Sequence, residues 1–226
     1  MNKSFNFLYL QFNFVDHMTT SKTEEPNLDR IDRELENILN HPAPAYGDKS
    51  YWDNRYSKEK EVFEWYFPFS TFQSKISLVS PVGVALDVGC GRSDLPAELI
   101  HYGFAKVIAI DFSEAAIEQA KENQLVQNVE YQVCDCTKMT FQQNYFNAIF
   151  DKGTYDTVLC SETGAAGMLK EIKRVLRPGG YYVLVSLGVE GTRKPVLEKE
   201  GFSVLQVVPI EHDNTKHYVY ICQKPE

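Results

Sequence analysis

The stretch Val84-Ala85-Leu86-Asp87-Val88-Gly89-Cys90-Gly91-Arg92-Ser93-Asp94-Leu95 leaves this chain few options. An apolar run ends in an acid, then a Gly-Cys-Gly turn, then a polar cluster able to start a helix. The run reads as a strand buried on both faces, the centre of a parallel sheet. Gly89 and Gly91 remove Cβ where a ligand must come close to the backbone. Ser93 or Asp94 can cap a helix through Ala97-Glu98-Leu99-Ile100. Strand, glycine turn and helix start together form a nucleotide-type cradle.

Ala105-Lys106-Val107-Ile108-Ala109-Ile110-Asp111 is a second buried strand ending in an acid. Asp111 stands about 20 residues beyond the turn, where a carboxylate can take two ribose hydroxyls. That spacing fits a nicotinamide cofactor or S-adenosylmethionine. Asp94 occupies the place of the third glycine of the dinucleotide fingerprint. An acid at a helix start repels a pyrophosphate and suits a cationic, phosphate-free cofactor, which favours S-adenosylmethionine.

The later elements follow in order. Phe112-Ser113-Glu114 opens a helix whose Ala115, Ala116, Ile117 and Ala120 can pack on the sheet. Val129–Val133 is a third strand, ending at Cys134-Asp135-Cys136. Asp135 fits either a hydrogen bond to an adenine amino group, with Cys136 beside the ring, or a strand-end turn. Phe146–Asp151 is a fourth strand, and its exit loop Lys152-Gly153-Thr154-Tyr155-Asp156 lies where substrate would meet cofactor. Thr163–Leu176 reads as a helix stopped by Arg177-Pro178-Gly179-Gly180, Tyr181–Leu187 as a fifth strand, and Thr192–Glu200 as a short helix. Phe202–Ile210 and Lys216–Gln223 are strands joined by His212-Asp213-Asn214, too short for a parallel crossover, so they pair antiparallel. The expected fold is α/β and Rossmann-like: a mostly parallel seven-stranded sheet closed by a C-terminal antiparallel hairpin, the class I methyltransferase arrangement.

Upstream, residues 46–72 are rich in aromatics. Tyr51, Trp52, Arg55 and Tyr56 share one helical face. They can pin a helix to the sheet, or cover a sulfonium, with Arg55 taking the cofactor's carboxylate. Residues 1–25, with Phe5, Phe7, Phe12 and Phe14, read as a disordered or weakly ordered extension without a clean secretory or transit signature. Residues 26–45 read as an amphipathic helix and linker, and 46–226 as the catalytic domain.

Composition restricts the partners. A formal charge of −8 over 226 residues argues against non-specific nucleic-acid binding. No run is long enough to span a membrane. Five irregularly spaced cysteines suggest neither a disulfide framework nor a zinc site, and no metal is expected.

On Tyr51-Trp52-Asp53-Asn54-Arg55-Tyr56, Leu86-Asp87-Val88-Gly89-Cys90-Gly91 and Asp151-Lys152-Gly153-Thr154-Tyr155-Asp156, the chain resembles the class I protein-lysine methyltransferases. It is similar to those that modify elongation factor 1-alpha and, as a sister group, citrate synthase. The resemblance runs from about Tyr46 to Lys224. It implies S-adenosylmethionine as cofactor, a protein substrate and a cytoplasmic location, or a mitochondrial one for the citrate synthase alternative. It implies cofactor contacts from Trp52, Tyr56, Trp65, Gly89, Asp111, Phe112, Asp135, Cys136 and Lys152. Asp151 is expected to orient the accepting amine, with Tyr155 and Asp156 as substrate wall. A small-molecule methyltransferase and a non-catalytic binding module are the other readings.

Overall fold

The computed structural model describes residues 44–58, 64–161 and 165–226. The expected N-terminal extension and nearly all of the expected 26–45 helix lie outside the described residues. The described elements are α1 (Lys49–Lys58), β1 (Val84–Val88), α2 (Leu95–Tyr102), β2 (Lys106–Asp111), α3 (Glu114–Glu122), β3 (Val129–Val133) and β4 (Phe146–Lys152). They continue as α4 (Thr154–Val158), α5 (Ala166–Val175), β5 (Leu176–Ser186), α6 (Glu190–Lys199), β6 (Ser203–His212) and β7 (Thr215–Gln223).

The seven strands form one sheet in the order β3-β2-β1-β4-β5-β7-β6. The first five are parallel to their neighbours, while β7 runs antiparallel to both β5 and β6. The expected fold is therefore the one observed. Chain order reverses between β1 and β4, and in open α/β sheets a ligand crevice opens at that point, beyond the strand carboxyl ends.

Register decides which side chains share a face. Leu86 pairs with Ile108 and Ile149, and Val88 with Ile110 and Asp151. These residues point to the face covered by Met168, Leu169, Ile172 and Val175 of α5 and Leu197 of α6. Ala85, Val107, Ala148, Phe150 and Val183 point to the other face, under Leu95 and Leu99 of α2 and the buried Phe67, Phe69, Phe72, Ile76 and Val79. Both faces are thus dry. This explains why β1, β2 and β4 read as continuous apolar runs rather than alternating ones.

Local chemistry sets the element ends. The Ser113 hydroxyl accepts from the Ala116 N–H at 3.4 Å, capping α3. At α2 the expected cap is divided: Ser93 Oγ accepts from the Leu95 N–H at 3.1 Å, while Asp94 occupies the cap position without a side-chain bond. Asp213 and Asn214, at φ 48° and 60°, form the two-residue turn between β6 and β7. Consecutive left-handed residues of this kind match the twist of a hairpin.

One boundary differs from expectation. Arg177-Pro178-Gly179-Gly180 does not separate α5 from β5, because β5 begins at Leu176 and runs through these residues. Leu176 pairs with Phe146, and the register then shifts before Tyr181 meets Ala148. The Gly179 N–H donates to the Lys224 carbonyl at 2.8 Å, and the Lys224 N–H to the Gly180 carbonyl at 3.0 Å. A proline–glycine run that would end a regular strand is here absorbed by an irregularity in the ladder.

Candidate active site

A cavity of about 210 Å³ opens at the carboxyl edge of the sheet around β1 and β4. Its floor is the turn after β1. Gly89 and Gly91 have φ of 67° and 50°, a conformation that suits glycine. A Cβ on Gly89 would run into the Thr154 side chain, and one on Gly91 would lie 2.6 Å from the Tyr56 hydroxyl. The turn is therefore narrow as well as bent.

Two acids from this edge face the cavity. Asp111, at the end of β2, accepts from the Gly91 N–H at 3.0 Å and the Ser113 N–H at 2.9 Å. Burial pushes its carboxyl up to about 6 against those two bonds, which favour the charged form. Asp87, in β1, is 2% exposed, and its Oδ2 has no hydrogen-bond partner among the described residues. Burial raises Asp87 to about 8, opposed by nearby Lys152. An unmade bond on a buried carboxylate is costly, and a cationic or hydrogen-bond-donating ligand group would relieve it. Register places Asp87 and Asp111 on one sheet face, since Asp87 pairs with Ala109 two residues before Asp111.

The opposite wall is aromatic. Trp52 and Tyr56 on α1 stack at 5.7 Å, and Trp65 meets Trp52 edge-on at 5.6 Å. Tyr46 packs on Trp52 at 5.9 Å and on Trp65 at 5.8 Å, and its carbonyl accepts from the Trp52 indole N–H at 2.8 Å. Arg92 lies 5.4 Å over the Tyr56 ring, while Gln119 of α3 donates to the Tyr56 carbonyl at 2.6 Å. Helix α1 is thereby fastened to the body at its C-terminal end.

At the far end Phe112, Asp135 and Cys136 complete the lining. Asp135 Oδ1 accepts from the Thr137 N–H at 2.8 Å and hydroxyl at 2.7 Å, so it closes a strand-end turn and also borders the cavity. Burial raises the Cys136 thiol well above its ordinary value, which keeps it neutral. Of the residues expected to touch a cofactor, Trp52, Tyr56, Trp65, Gly89, Gly91, Asp111, Phe112, Asp135, Cys136 and Lys152 all line this cavity. Arg55 is not in the lining; its guanidinium lies 5.8 Å from the Trp52 ring and 5.5 Å from the Trp65 ring.

The three residues expected to act on the substrate lie elsewhere. Asp151 is 1% exposed, and its two oxygens accept from the Tyr182 hydroxyl at 2.8 Å and the Tyr155 N–H at 3.1 Å. Register turns Asp151 to the sheet face opposite Asp87. Tyr155 is buried with its ring under the Arg193 guanidinium at 5.3 Å. Asp156 accepts four bonds: from the Tyr66 hydroxyl (2.8 Å), the Ser186 hydroxyl (2.6 Å), the Leu187 N–H (2.8 Å) and Arg193 (3.0 Å). None of the three lines the cavity. They brace the loop that carries Lys152, Gly153 and Thr154 and do not border this cavity.

Several lining residues had no assigned role in the sequence. Asp87 was visible as the acid closing the first apolar run, but nothing there showed its carboxylate to be unpaired. Tyr46 and Thr154 likewise needed the fold to bring them in. The Thr154 hydroxyl donates to the Val88 carbonyl at 2.8 Å, tying the β4 exit loop to the glycine turn.

This architecture, with a narrow glycine turn, paired strand-end acids on one face and an aromatic cover, is that of a class I methyltransferase cofactor site. The chain belongs to the methyltransferase domain family, whose pattern matches residues 81–220. It is 32% identical over 180 residues to the human eEF1A lysine and N-terminal methyltransferase, covering 74% of this chain and 26% of that protein. It is 27% identical over 190 residues to the zebrafish (Danio rerio) EEF1A lysine methyltransferase 2, covering 74% and 80% respectively. The chain thus spans about a quarter of the length of the first of these relatives. Among solved structures, an S-adenosylmethionine-dependent methyltransferase from Mesorhizobium loti superposes with a TM-score of 0.55 at 14% identity, over 69% of this chain and 98% of that one. S-adenosylmethionine is the cofactor this family and fold imply, and the residues present fit it. The unpaired Asp87 oxygen suits its ammonium, the lone pairs left on Asp111 suit its ribose, and the rings suit its sulfonium.

Proposed function

We propose that this protein transfers a methyl group to a lysine side chain of a protein, with elongation factor 1-alpha as the target and the cytoplasm as the setting. The observation that carries methyl transfer is the Asp87 carboxylate oxygen, buried beside an aromatic wall and without a hydrogen-bond partner among the described residues. The choice of acceptor is supported by the activity named for both curated relatives.

The bound cofactor supplies an electrophilic methyl group on a sulfonium. The chain's own residues supply placement and a dry site. Asp87, Asp111 and the Gly89–Gly91 turn fix one end of the cofactor, and Phe112, Asp135 and Cys136 border the other. The rings of Tyr46, Trp52, Tyr56 and Trp65 exclude water and attract cations, worth roughly 0.5–2 kcal/mol per contact. Alignment of an amine with the methyl group can contribute up to about 7–11 kcal/mol to lowering the barrier.

A lysine amine, with a reference pKa of about 10.4, must lose its proton before it attacks. Burial among these rings and a neighbouring cation both favour the neutral amine. Among the described residues, the carboxylates lining the cavity are Asp87, Asp111 and Asp135.

The test is incubation of the purified chain with tritiated S-adenosylmethionine and purified elongation factor 1-alpha, alongside a cell extract. The expected result is label on elongation factor 1-alpha, at a lysine by mass spectrometry, and lost with Asp111→Ala. Label on an α-amino group would change the acceptor. Label on citrate synthase would move the chain to that sister group. Cofactor binding without protein label would point to a small-molecule acceptor, and no cofactor binding would leave a binding module.

A further inference from the structure

Lys152 places a cation in the wall of a cavity whose ligand is itself cationic. Its side chain is 4% exposed, and it sits on the same sheet face as Asp87, two positions after Phe150, the partner of Asp87. The ammonium donates to Glu64 Oε2 at 2.7 Å and to the Trp65 carbonyl at 2.8 Å.

Glu64 does more than pair with it. Its carboxylate accepts from the Ser93 hydroxyl at 2.9 Å and from the Asp94 N–H at 2.7 Å, at the start of α2. One carboxylate thus joins the end of β4, the glycine turn and the segment carrying Trp65. On the other side of Trp65, Tyr66 is held at a φ of 68° and bonded to buried Asp156. A left-handed tyrosine persists only where its surroundings over-determine it. Trp65 is therefore gripped from both sides, and its ring lies so close over Gly153 that a Cβ there would collide with it.

We propose that Glu64 is a positioning residue that sets the preference of this site for the sulfonium cofactor over its thioether product. It does so by neutralising Lys152 in the cavity wall while it anchors the segment that carries the lining residue Trp65. This rests on the methyltransferase reading above. S-adenosylmethionine and S-adenosylhomocysteine share the adenosyl, amino and carboxyl groups and differ by one methyl group and one positive charge. A group that only shapes the cavity alters both affinities together, whereas one that governs the local charge alters their ratio. Removing the Glu64 charge leaves the ammonium without its hydrogen-bonded carboxylate in a low-dielectric wall, where its excess charge repels the sulfonium but not the thioether.

The experiment is calorimetric titration of the full chain with each ligand separately, for wild type, Glu64→Gln, Lys152→Met and the double variant. Glu64→Gln is expected to weaken S-adenosylmethionine by about tenfold more than S-adenosylhomocysteine, a charge effect at partly screened range. Lys152→Met is expected to shift the ratio the opposite way, and the double variant to return it toward wild type. Lys152→Met also provides the measurement if Glu64→Gln does not fold. Equal losses for both ligands, or an unchanged ratio in every variant, would overturn the proposal while leaving the methyltransferase reading intact. Failure of wild type to bind either ligand would overturn both.

Discussion

The two halves of the sheet's carboxyl edge use the same residue type for opposite ends. On the β1–β2 side, Asp87 and Asp111 are buried yet border the cavity, and Asp87 Oδ2 has no partner among the described residues. On the β4–α4 side, Asp151 and Asp156 are as deeply buried, but tyrosine, serine, arginine and backbone donors take up their oxygens. Burial alone therefore does not mark a functional acid at this edge. Asp87 differs in a buried oxygen that has no donor among the described residues, and Asp111, though bonded at both oxygens, differs in its place in the cavity lining.

The sharpest way to break this contrast is to remove the most heavily bonded acid. Asp156→Ala strands Arg193 and two hydroxyls, and unpairing a buried ion pair costs about 3–5 kcal/mol. Chemical denaturation should show a loss of that order. Whatever folded protein remains at low temperature should bind cofactor within a few-fold of wild type. A large loss of affinity with little loss of stability would place Asp156 at the site instead.

Asp87→Asn should behave in the reverse manner. Stability should hold or rise, because a raised carboxyl gives way to a neutral amide of the same shape. Cofactor affinity should fall by about a hundredfold, the loss expected when a charge-assisted bond to an ammonium is removed. Calorimetry and a thermal melt on the same sample would separate the two effects.

Asp151 tests the finer point through pH. Burial raises its carboxyl to about 7 in the folded chain, above the ordinary value near 4 in the unfolded one. The folded state then holds the proton more tightly, so stability is greatest at low pH and falls between about pH 4 and about pH 7. The melting temperature of the ligand-free protein should drop across that window. The drop should be shallower in Asp151→Asn, whose cofactor affinity should stay within about twofold of wild type. An unchanged melting profile together with reduced methyl transfer would return Asp151 to the reaction itself.

The fold was readable because its determinants are local. Runs such as Val107–Ile110 could be little else than buried strands, and Asp213-Asn214 forces a hairpin. The cavity floor was readable for the same reason, since a glycine turn and an acid about 20 residues later lie within one βαβ unit. The sheet face and partners of Asp151 were not, because they depend on register between β1 and β4, strands far apart in sequence. A side-chain period of two means that the pairing of Val88 with Asp151 decides the face on which each acid points. Glu64 escaped notice for a related reason: it sits among aromatics, and its partners Lys152 and Ser93 come from two distant loops. The β5 boundary was misplaced because Pro178 and Gly179 are turn signals only when no neighbouring strand accommodates them.

The position of β7 has a consequence for how the protein is made. It is the last of the seven strands along the chain, yet it lies between β5 and β6, with Val219, Tyr220, Ile221 and Cys222 buried. During synthesis the five parallel strands emerge first, and β5 waits as an open edge until β6 has passed and β7 arrives. Open edges recruit other strands. Until β7 pairs, a folding chain thus has its cofactor cradle in place while the β5 edge of its sheet can still be joined by the wrong partner.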